Sequence, residues 1–334
     1  MDLTYLKKVL EKEPQYRLEQ AKKAVFFDLI EDWFKASTLP LSLRKKLNEE
    51  CPLDIRAQTS TSKDKRAVKV LITLKDGLKI ESILMRHKDK KNTVCVSSQV
   101  GCPLNCPFCT TGKMGFKRNL SVLEILEQVL FFARYLKKLK AKVSNVVFMG
   151  MGEPFLNYEN VMESIKILND KEGFNLGARH FSISTVSIVE GIQKLSEGRL
   201  QINLAISLHA TDDKLRTKIM PINKKYPLEK VLRAVKDYIK KTNRRVMFEY
   251  IMIKDLNDSD ECALKLAKLV KKVPLSFLNL ISYNPTGVFQ PSPPERIRKF
   301  KEILEKEGIT VTQRYRFGQD IEAACGQLAT KANS

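Results

Sequence analysis

The sequence predicts an α/β protein: an incomplete (βα)6 barrel of the TIM type, preceded by a small helical unit and a β-hairpin. Three observations carry this reading. From residue 94 onward, apolar strand-like runs alternate with helical patterns in six βα units. Residues 67–86 alternate apolar with polar on either side of Lys75-Asp76-Gly77, a hairpin signature. The first 50 or so residues place apolar side chains at helical spacing.

In chain order, residues 1–60 read as an N-terminal helical accessory domain. Val25, Phe26, Leu29, Ile30 and Trp33 recur at helical spacing, Leu39-Pro40 breaks the pattern, and a short helix follows with Leu43 and Leu47. Residues 61–93 read as a β-hairpin extension, with AVKVLITL and LKIESILM as its strands. Residues 94–334 read as the partial barrel, ending in a segment with a further cysteine. Its strands are expected at 94–98, 144–149, 180–185, 201–207, 246–253 and 275–281, with a last strand near 309–315. Helices are expected around 121–139, 158–170, 188–197, 228–242, 259–271 and 294–307. A Rossmann-type sheet satisfies the same alternation, but six units fit the partial barrel, whose ligand-binding loops lie at the C-terminal strand ends. Residues 285–294 form a proline-rich loop, read as a lid or a substrate-facing strap.

Composition narrows the function classes. Hydrophobic residues make up 43% of the 334, enough for a core. No run approaches the ~18 apolar residues needed to span a bilayer. The opening MDLTYLKKVLEKEPQYR is polar and has no apolar signal-like stretch, so a cytoplasmic location and no membrane association are expected. The formal net charge is +21, from 59 Lys+Arg against 38 Asp+Glu. Such a surface favours polyanions, with nucleic acid first and an anionic membrane surface second. A generally basic proteome would give the same charge. Seven cysteines, an odd number in a chain without a secretion signal, argue for metal or thiol chemistry over a disulfide framework.

Three of those cysteines stand in QVGCPLNCPFCTTGKMGF, where Cys102, Cys106 and Cys109 are spaced C-x3-C-x2-C. Three thiolates on one tight loop can hold three irons of a [4Fe–4S] cubane. The fourth iron is then free to take the amino and carboxylate groups of S-adenosylmethionine (SAM) and to pass an electron into its sulfonium. Homolysis gives a 5′-deoxyadenosyl radical. A zinc knuckle is the competing reading, but it needs a fourth ligand nearby. No second cysteine pair exists, and no histidine follows until His180.

The second barrel strand ends in VVFMGMGEPFLN, where glycines let backbone approach a ligand and Glu153 can accept from an amine. On its own this is an ordinary strand-ending turn. Placed one strand after the cysteine loop, Gly152 and Glu153 resemble a SAM amino-group site. FSISTVS, LAISLHA and LISYNPTG contribute Ser184, Ser207, His209 and Asn284 at later strand ends. Each alone is more often a cap or turn residue, but one barrel mouth would gather them.

These stretches together resemble one family, the RlmN/Cfr radical SAM adenine methyltransferases. The resemblance runs from about Glu81 to Leu328. It is carried by TVCVSSQVGCPLNCPFCTTGKMGF, FMGMGEPFLN, RHFSISTV, AISLHA, LRTKIMPINKKYPLEKV and QDIEAACGQL. It implies a two-stage reaction that consumes two SAM per turnover. One SAM methylates a cysteine by displacement. The radical from a second SAM takes a hydrogen from that S-methyl group, and the resulting methylene radical adds to an electron-poor carbon of adenine. A second cysteine resolves the protein–RNA adduct and leaves a disulfide.

By the same resemblance the methyl-carrying cysteine is Cys325, the resolving cysteine is Cys95, and the general base is Glu81. The SAM contacts are Gly152, Glu153, Ser184, Ser207, Leu208, His209 and Asn284. The cluster ligands are Cys102, Cys106 and Cys109. Cys51 and Cys262 match nothing and read as packing residues. Adenine carbon 2 is not nucleophilic, so a radical route suits it where a direct displacement does not. The implied partners are 23S rRNA and transfer RNA, plus a low-potential electron donor such as flavodoxin or ferredoxin, for a monomeric enzyme.

Pro154 after Gly-Glu resembles the RlmN type, which methylates carbon 2; the Cfr type methylates carbon 8 and tends to carry Ala there. Two positions depart from the family: Ser187 and Asp255 stand where glycine is usual. An isolated cysteine such as Cys95 is ordinarily a core residue, and an alternating strand glutamate such as Glu81 is ordinarily solvated. Two other classes stay open on residues alone. One is a radical SAM enzyme with a small-molecule or protein substrate. The other is a non-catalytic zinc-bearing RNA-binding protein.

Overall fold

The computed structural model describes residues 3–314 and 317–328. Three helices open the chain: α1 (Leu3–Val9), α2 (Gln15–Phe26) and α3 (Leu41–Glu50). They bury Leu6, Val25, Trp33 and Leu47 in the common core. The Trp33 indole donates to the Cys51 carbonyl at 2.7 Å, which accounts for the burial of that cysteine's segment.

Strands β1 (Ala57–Thr61), β2 (Ala67–Thr73), β3 (Lys79–Arg86) and β4 (Asn92–Val96) follow as an antiparallel series. A small hairpin, β5 (Gln99–Gly101) with β6 (Phe116–Asn119), brackets the short helix α4 (Thr110–Lys113). Alternation then sets in: α5 (Val122–Lys138), β7 (Asn145–Phe148), α6 (Tyr158–Asn169), β8 (Phe181–Thr185), α7 (Val189–Glu197), β9 (Asn203–Ser207), α8 (Asp213–Ile219), α9 (Leu228–Thr242), β10 (Val246–Met252), α10 (Asp260–Lys271), β11 (Ser276–Ser282), α11 (Pro294–Lys306) and β12 (Val311–Gln313).

Among the described residues, ten strands form one sheet in the order β1-β2-β3-β4-β7-β8-β9-β10-β11-β12. From β4 to β12 every pair is parallel, and β1 and β12 remain as the two edges. This is the open barrel that the sequence predicts. The hairpin is no separate decoration, because β3 pairs directly with β4 and carries the barrel sheet onward.

The period of two sorts the parallel strands cleanly. Val94, Val146, Phe148, Phe181, Ile183, Leu204, Ile206, Phe248 and Leu278 enter the core under the helices. Their neighbours Cys95, Val147, Ser184, Ser207, Glu249 and Asn279 line a cavity on the opposite face. The helices are cut by local signals. Ser121 and Glu124 form a reciprocal capping box on α5, and Asn243 closes α9 in the left-handed region.

Three expectations shift. Edge strand β1 lies at 57–61, at the end of the stretch read as helical; AQTST is polar and exposed on both faces, at Gln58, Thr59 and Thr61, so it carries no apolar signal. Helix α8 has only seven residues and shows no periodicity of its own. The last strand, expected at 309–315, runs Val311–Gln313, and position 315 lies outside the described residues. The proline-rich loop is tied down: Lys254 N–H donates to the Gln290 carbonyl at 2.9 Å, and Ser292 Oγ to Asp258 at 2.8 Å. Among the described residues, no helix is long and apolar enough to cross a membrane.

Candidate functional site

The inner face of the sheet encloses a cavity of about 450 Å³. Cys102, Cys106 and Cys109 all line it. The loop that carries them is pinched shut by the β5–β6 hairpin. Gly101 adopts φ +75°, and a Cβ there would lie 1.8 Å from the Gly115 carbonyl oxygen. Only glycine permits that approach. The Cys102 N–H donates to the Gly115 carbonyl, and the Cys109 N–H to the Cys106 carbonyl, both at 3.0 Å.

Burial pushes the Cys102 thiol up to about 12, and the Cys106 thiol rises well above its ordinary range for the same reason. Charge on Cys109 raises both further. Cys102 and Cys106 therefore stand as thiolates only with a cationic group beside them. Among the described residues, no three or more His, Cys, Asp or Glu side chains are gathered round a single metal ion, so the three thiols are not set as a one-metal site. Three sulfurs spread along one cavity wall suit a multi-iron cubane better than a lone zinc. The donor set fits an iron–sulfur cluster held by Cys102, Cys106 and Cys109.

The next wall is the turn after β7. Gly152 adopts φ +95°, and a Cβ there would meet Gln99 Cβ at 2.5 Å. Glu153 follows, buried, with its carboxylate accepting from Phe155 N–H at 3.0 Å and Val186 N–H at 2.9 Å. Burial lifts its pKa to about 7 against the pull of those bonds. Ser184, Ser207, His209 and Asn284 complete this side. His209 is left-handed at φ 58°, and its Nδ1 accepts from Ile251 N–H at 3.2 Å. Burial and the nearby Arg216 lower its pKa to about 3, so the ring is neutral. Leu208 is buried and its side chain does not line the cavity, so any contact with a ligand there runs through backbone.

Cys95 and Cys325 face the same space from opposite ends of the chain. Cys95 lies on β4 between Ile83 and Val147, and burial pushes its thiol up to about 12. Cys325 is exposed into the cavity though walled round by protein, and its thiol is raised by that enclosure while Arg314 pulls it down. The segment bearing it is strapped across the cavity. Asn284 Nδ2 donates to the Cys325 carbonyl at 3.1 Å, Thr110 N–H to Gly326 at 2.8 Å, Thr111 Oγ1 to Leu328 at 2.8 Å, and Lys63 N–H to Asp320 at 2.8 Å.

Glu81 is the expected site residue that the fold sets apart. It shares the inner face of β3 with Ile83 and Met85, which line the cavity, but is itself buried off the wall. Its carboxylate pairs with the buried Lys69 ammonium at 3.1 Å. Cys51 and Cys262 lie outside the cavity, as expected of packing residues.

Sequence reasoning missed several polar residues of the site, among them Glu249 and Arg314. Glu249 on β10 is buried, accepts from Ser184 Oγ at 2.5 Å and pairs with Arg314 at 2.9 Å. An acid inside the apolar run VMFEYIM was the signal that could have found it. Arg314, just after β12, carries no such signal.

This arrangement is that of the radical SAM class. The model described as the Radical SAM superfamily matches residues 96–267, and membership implies an iron–sulfur cluster and SAM. A protein named "Probable dual-specificity RNA methyltransferase RlmN" from Dictyoglomus thermophilum is 45% identical over 318 residues, covering 95% of this chain and 91% of that protein. One of the same name from Pseudothermotoga lettingae is 50% identical over 264 residues, 79% of this chain and 76% of that protein. The crystal structure of a radical SAM methyltransferase from Sphaerobacter thermophilus superposes with a TM-score of 0.94 at 40% identity, covering 99% of this chain and 98% of that one. Within the radical SAM superfamily, the chain belongs to the RlmN family.

Proposed function

We propose that the protein is an RNA methyltransferase that methylates carbon 2 of adenosine in 23S rRNA and in transfer RNA. The observation that carries this reading is the opening of Cys95 and Cys325 into one cavity with the three-thiol loop. A radical SAM enzyme for a small molecule has no need of that pair. The relatives' printed names and the net charge of +21 support an RNA substrate.

Cys325 acts first, as the nucleophile that takes the methyl group of one SAM and releases S-adenosylhomocysteine. Arg314 beside it favours the thiolate over the thiol. A [4Fe–4S] cluster on Cys102, Cys106 and Cys109, when bound, supplies the electron that cleaves a second SAM to a 5′-deoxyadenosyl radical. Gly152, Glu153, Ser184, Ser207, Leu208, His209 and Asn284 orient SAM, with the neutral His209 acting through its backbone and ring packing. Asn284 also fixes the Cys325 backbone, so one side chain serves both the SAM wall and the methyl carrier. The deoxyadenosyl radical takes a hydrogen atom from the Cys325 S-methyl group, leaving as 5′-deoxyadenosine, and the methylene radical adds to adenine carbon 2. The adduct then gives up one electron, for which the oxidised cluster would be the acceptor, and its carbon-2 proton. Cys95 then attacks the Cys325 sulfur, freeing the methylated base and leaving a disulfide that an external dithiol reduces.

The resemblance assigns proton removal from the adduct to Glu81. For that, its pair with Lys69 opens and the carboxylate turns toward the cavity. The remaining parts of the reading are a flavodoxin or ferredoxin as electron donor, a monomer, and a cytoplasmic location where RNA is modified. In the same reading residues 1–60 are an accessory unit, 61–93 an extension and 94–334 the catalytic body, with β1 joining the sheet edge. An adenine paired or stacked in RNA is extruded to enter.

The test is mass spectrometry of nucleosides from 23S rRNA and transfer RNA of a strain lacking its own enzyme, with and without this protein. Appearance of 2-methyladenosine, in the RNA fraction that carries it, is expected. Appearance of 8-methyladenosine instead moves the protein to the Cfr type. Neither product, from protein with an intact cluster and an adequate reductant, removes RNA methylation altogether.

A further inference from the structure

Arg216 on α8 is fully buried. Its guanidinium donates to six acceptors. Nε reaches the Leu208 carbonyl at 3.2 Å; Nη1 reaches Asn223 Oδ1 at 2.7 Å and the Tyr226 carbonyl at 3.1 Å. Nη2 reaches the Val186 carbonyl at 3.1 Å, Ser187 Oγ at 3.0 Å and the Ser207 carbonyl at 3.2 Å. None of the six is a carboxylate. Asp213 lies within electrostatic reach, but it is exposed and its carboxylate accepts from Asn223 Nδ2 at 3.0 Å and Leu228 N–H at 2.8 Å.

The bonds knit the chain just after β8, the end of β9 and the turn after α8 into one wall. Ser187 gains a reason here. It sits at φ 89°, where glycine is at ease, and its hydroxyl gives Arg216 an acceptor that glycine lacks. A buried cation with neutral partners alone is costly, so a counter-charge nearby is called for. The candidate is the thiolate loop. Ile219 and Met220, three and four residues on from Arg216 and so on its side of the helix, pack with Cys106 in one apolar cluster, and Val186, whose carbonyl Arg216 holds, packs on the same cluster. Between apolar side chains an interaction of charges is weakly screened. Burial lowers the Arg216 pKa only to about 10, so the group remains a cation near neutral pH.

We propose that Arg216 is a positioning residue of the iron–sulfur site: it is the buried counter-charge to the thiolate-held cluster and the clamp on the SAM-facing wall behind it. A fixed cation beside a cluster stabilises the reduced, more negative state, and so raises its midpoint potential. The proposal rests on the cluster reading and is independent of which RNA or which adenine carbon is methylated.

The experiment is an EPR-monitored redox titration of the reconstituted holoprotein, with iron and sulfide analysis, for the wild type, Arg216→Lys, Arg216→Gln and Arg216→Met. At equal cluster content, the two neutral variants are expected to show a more negative midpoint, with Arg216→Lys close to the wild type. Neutral variants that lose the cluster while Arg216→Lys keeps it support the charge as well. A neutral variant with a full cluster and an unchanged midpoint overturns the proposal. So does loss of the cluster in all three variants, which would make the role one of hydrogen bonding alone. A wild type without iron and sulfide fails the cluster reading itself, which is a separate result.

Discussion

Arg314 donates to Glu249 at 2.9 Å while standing within electrostatic reach of both Cys95 and Cys325. The cation pulls the Cys325 thiol down, and burial together with Glu249 pushes it up. Removing the cation leaves only the upward push, so the thiolate fraction near neutral pH falls. Arg314→Met is expected to slow self-methylation of Cys325 near neutral pH, because less of the group is then thiolate. Arg314→Lys retains part of the rate, and raising the pH restores part of the loss in Arg314→Met. Intact-protein mass spectrometry, following the gain of one methyl group with SAM alone, reads this without RNA.

The two cysteines have separable phenotypes. Cys325→Ala is expected to abolish RNA methylation while iron and sulfide content stay at the wild-type level. Cys95→Ala is expected to accumulate a covalent protein–RNA species, visible as a retarded band on a denaturing gel. Ordinary turnover by Cys95→Ala would remove its resolving role.

Glu153 makes the stability of the metal-free protein depend on pH. Its pKa rises from an ordinary 4.5 to about 7 because folding buries it. The folded state therefore binds the proton more tightly than the unfolded state. The stabilisation is complete below the unfolded value and is lost as pH rises through about 7. It amounts to about 3 kcal/mol. Urea midpoints between pH 5 and 8 should fall for the wild type and flatten for Glu153→Gln.

Gly152→Ala tests the turn after β7. The new Cβ would sit 2.5 Å from Gln99 Cβ at a φ of +95°. A loss of about 1–3 kcal/mol is expected from the conformation alone, with the clash adding to it. Differential scanning calorimetry gives the stability, and equilibrium dialysis with SAM should show weaker binding.

The parts of the site that depend on local spacing were readable in advance. The thiol loop, the Gly152-Glu153 turn and the serines at strand ends are written in short stretches, and the period of two carries Cys95 and Ser184 to the cavity face. Cys325 was readable only through resemblance, because no local pattern says that a strap after the last strand crosses back over the first ones. Arg314 and Arg216 were not readable, and Glu249 only as an acid set in the apolar run VMFEYIM. Glu249 is made tolerable by Ser184 and Arg314, both far along the chain, and Arg216 by carbonyls after β8 and at the end of β9 that meet only once those strands are ordered. Glu81 shows the converse. Its strand face follows from alternation, but the Lys69 ammonium that holds it off the wall does not. β1 escaped because an edge strand exposed on both faces needs no apolar alternation.

The strap bearing Cys325 follows every strand of the sheet in sequence, yet is fastened near its opposite end, where Lys63 N–H donates to Asp320 and the Gly318 backbone nestles against Ala67. The cluster loop and the SAM wall are complete without it. In the proposed reaction, generation of a radical and delivery of a methyl group thus reside on different pieces of chain. On that reading, a chain whose strap is displaced keeps the cluster loop but has no carbon to pass on. Such a chain would consume SAM without product, so the integrity of this one strap is what couples cofactor use to useful work.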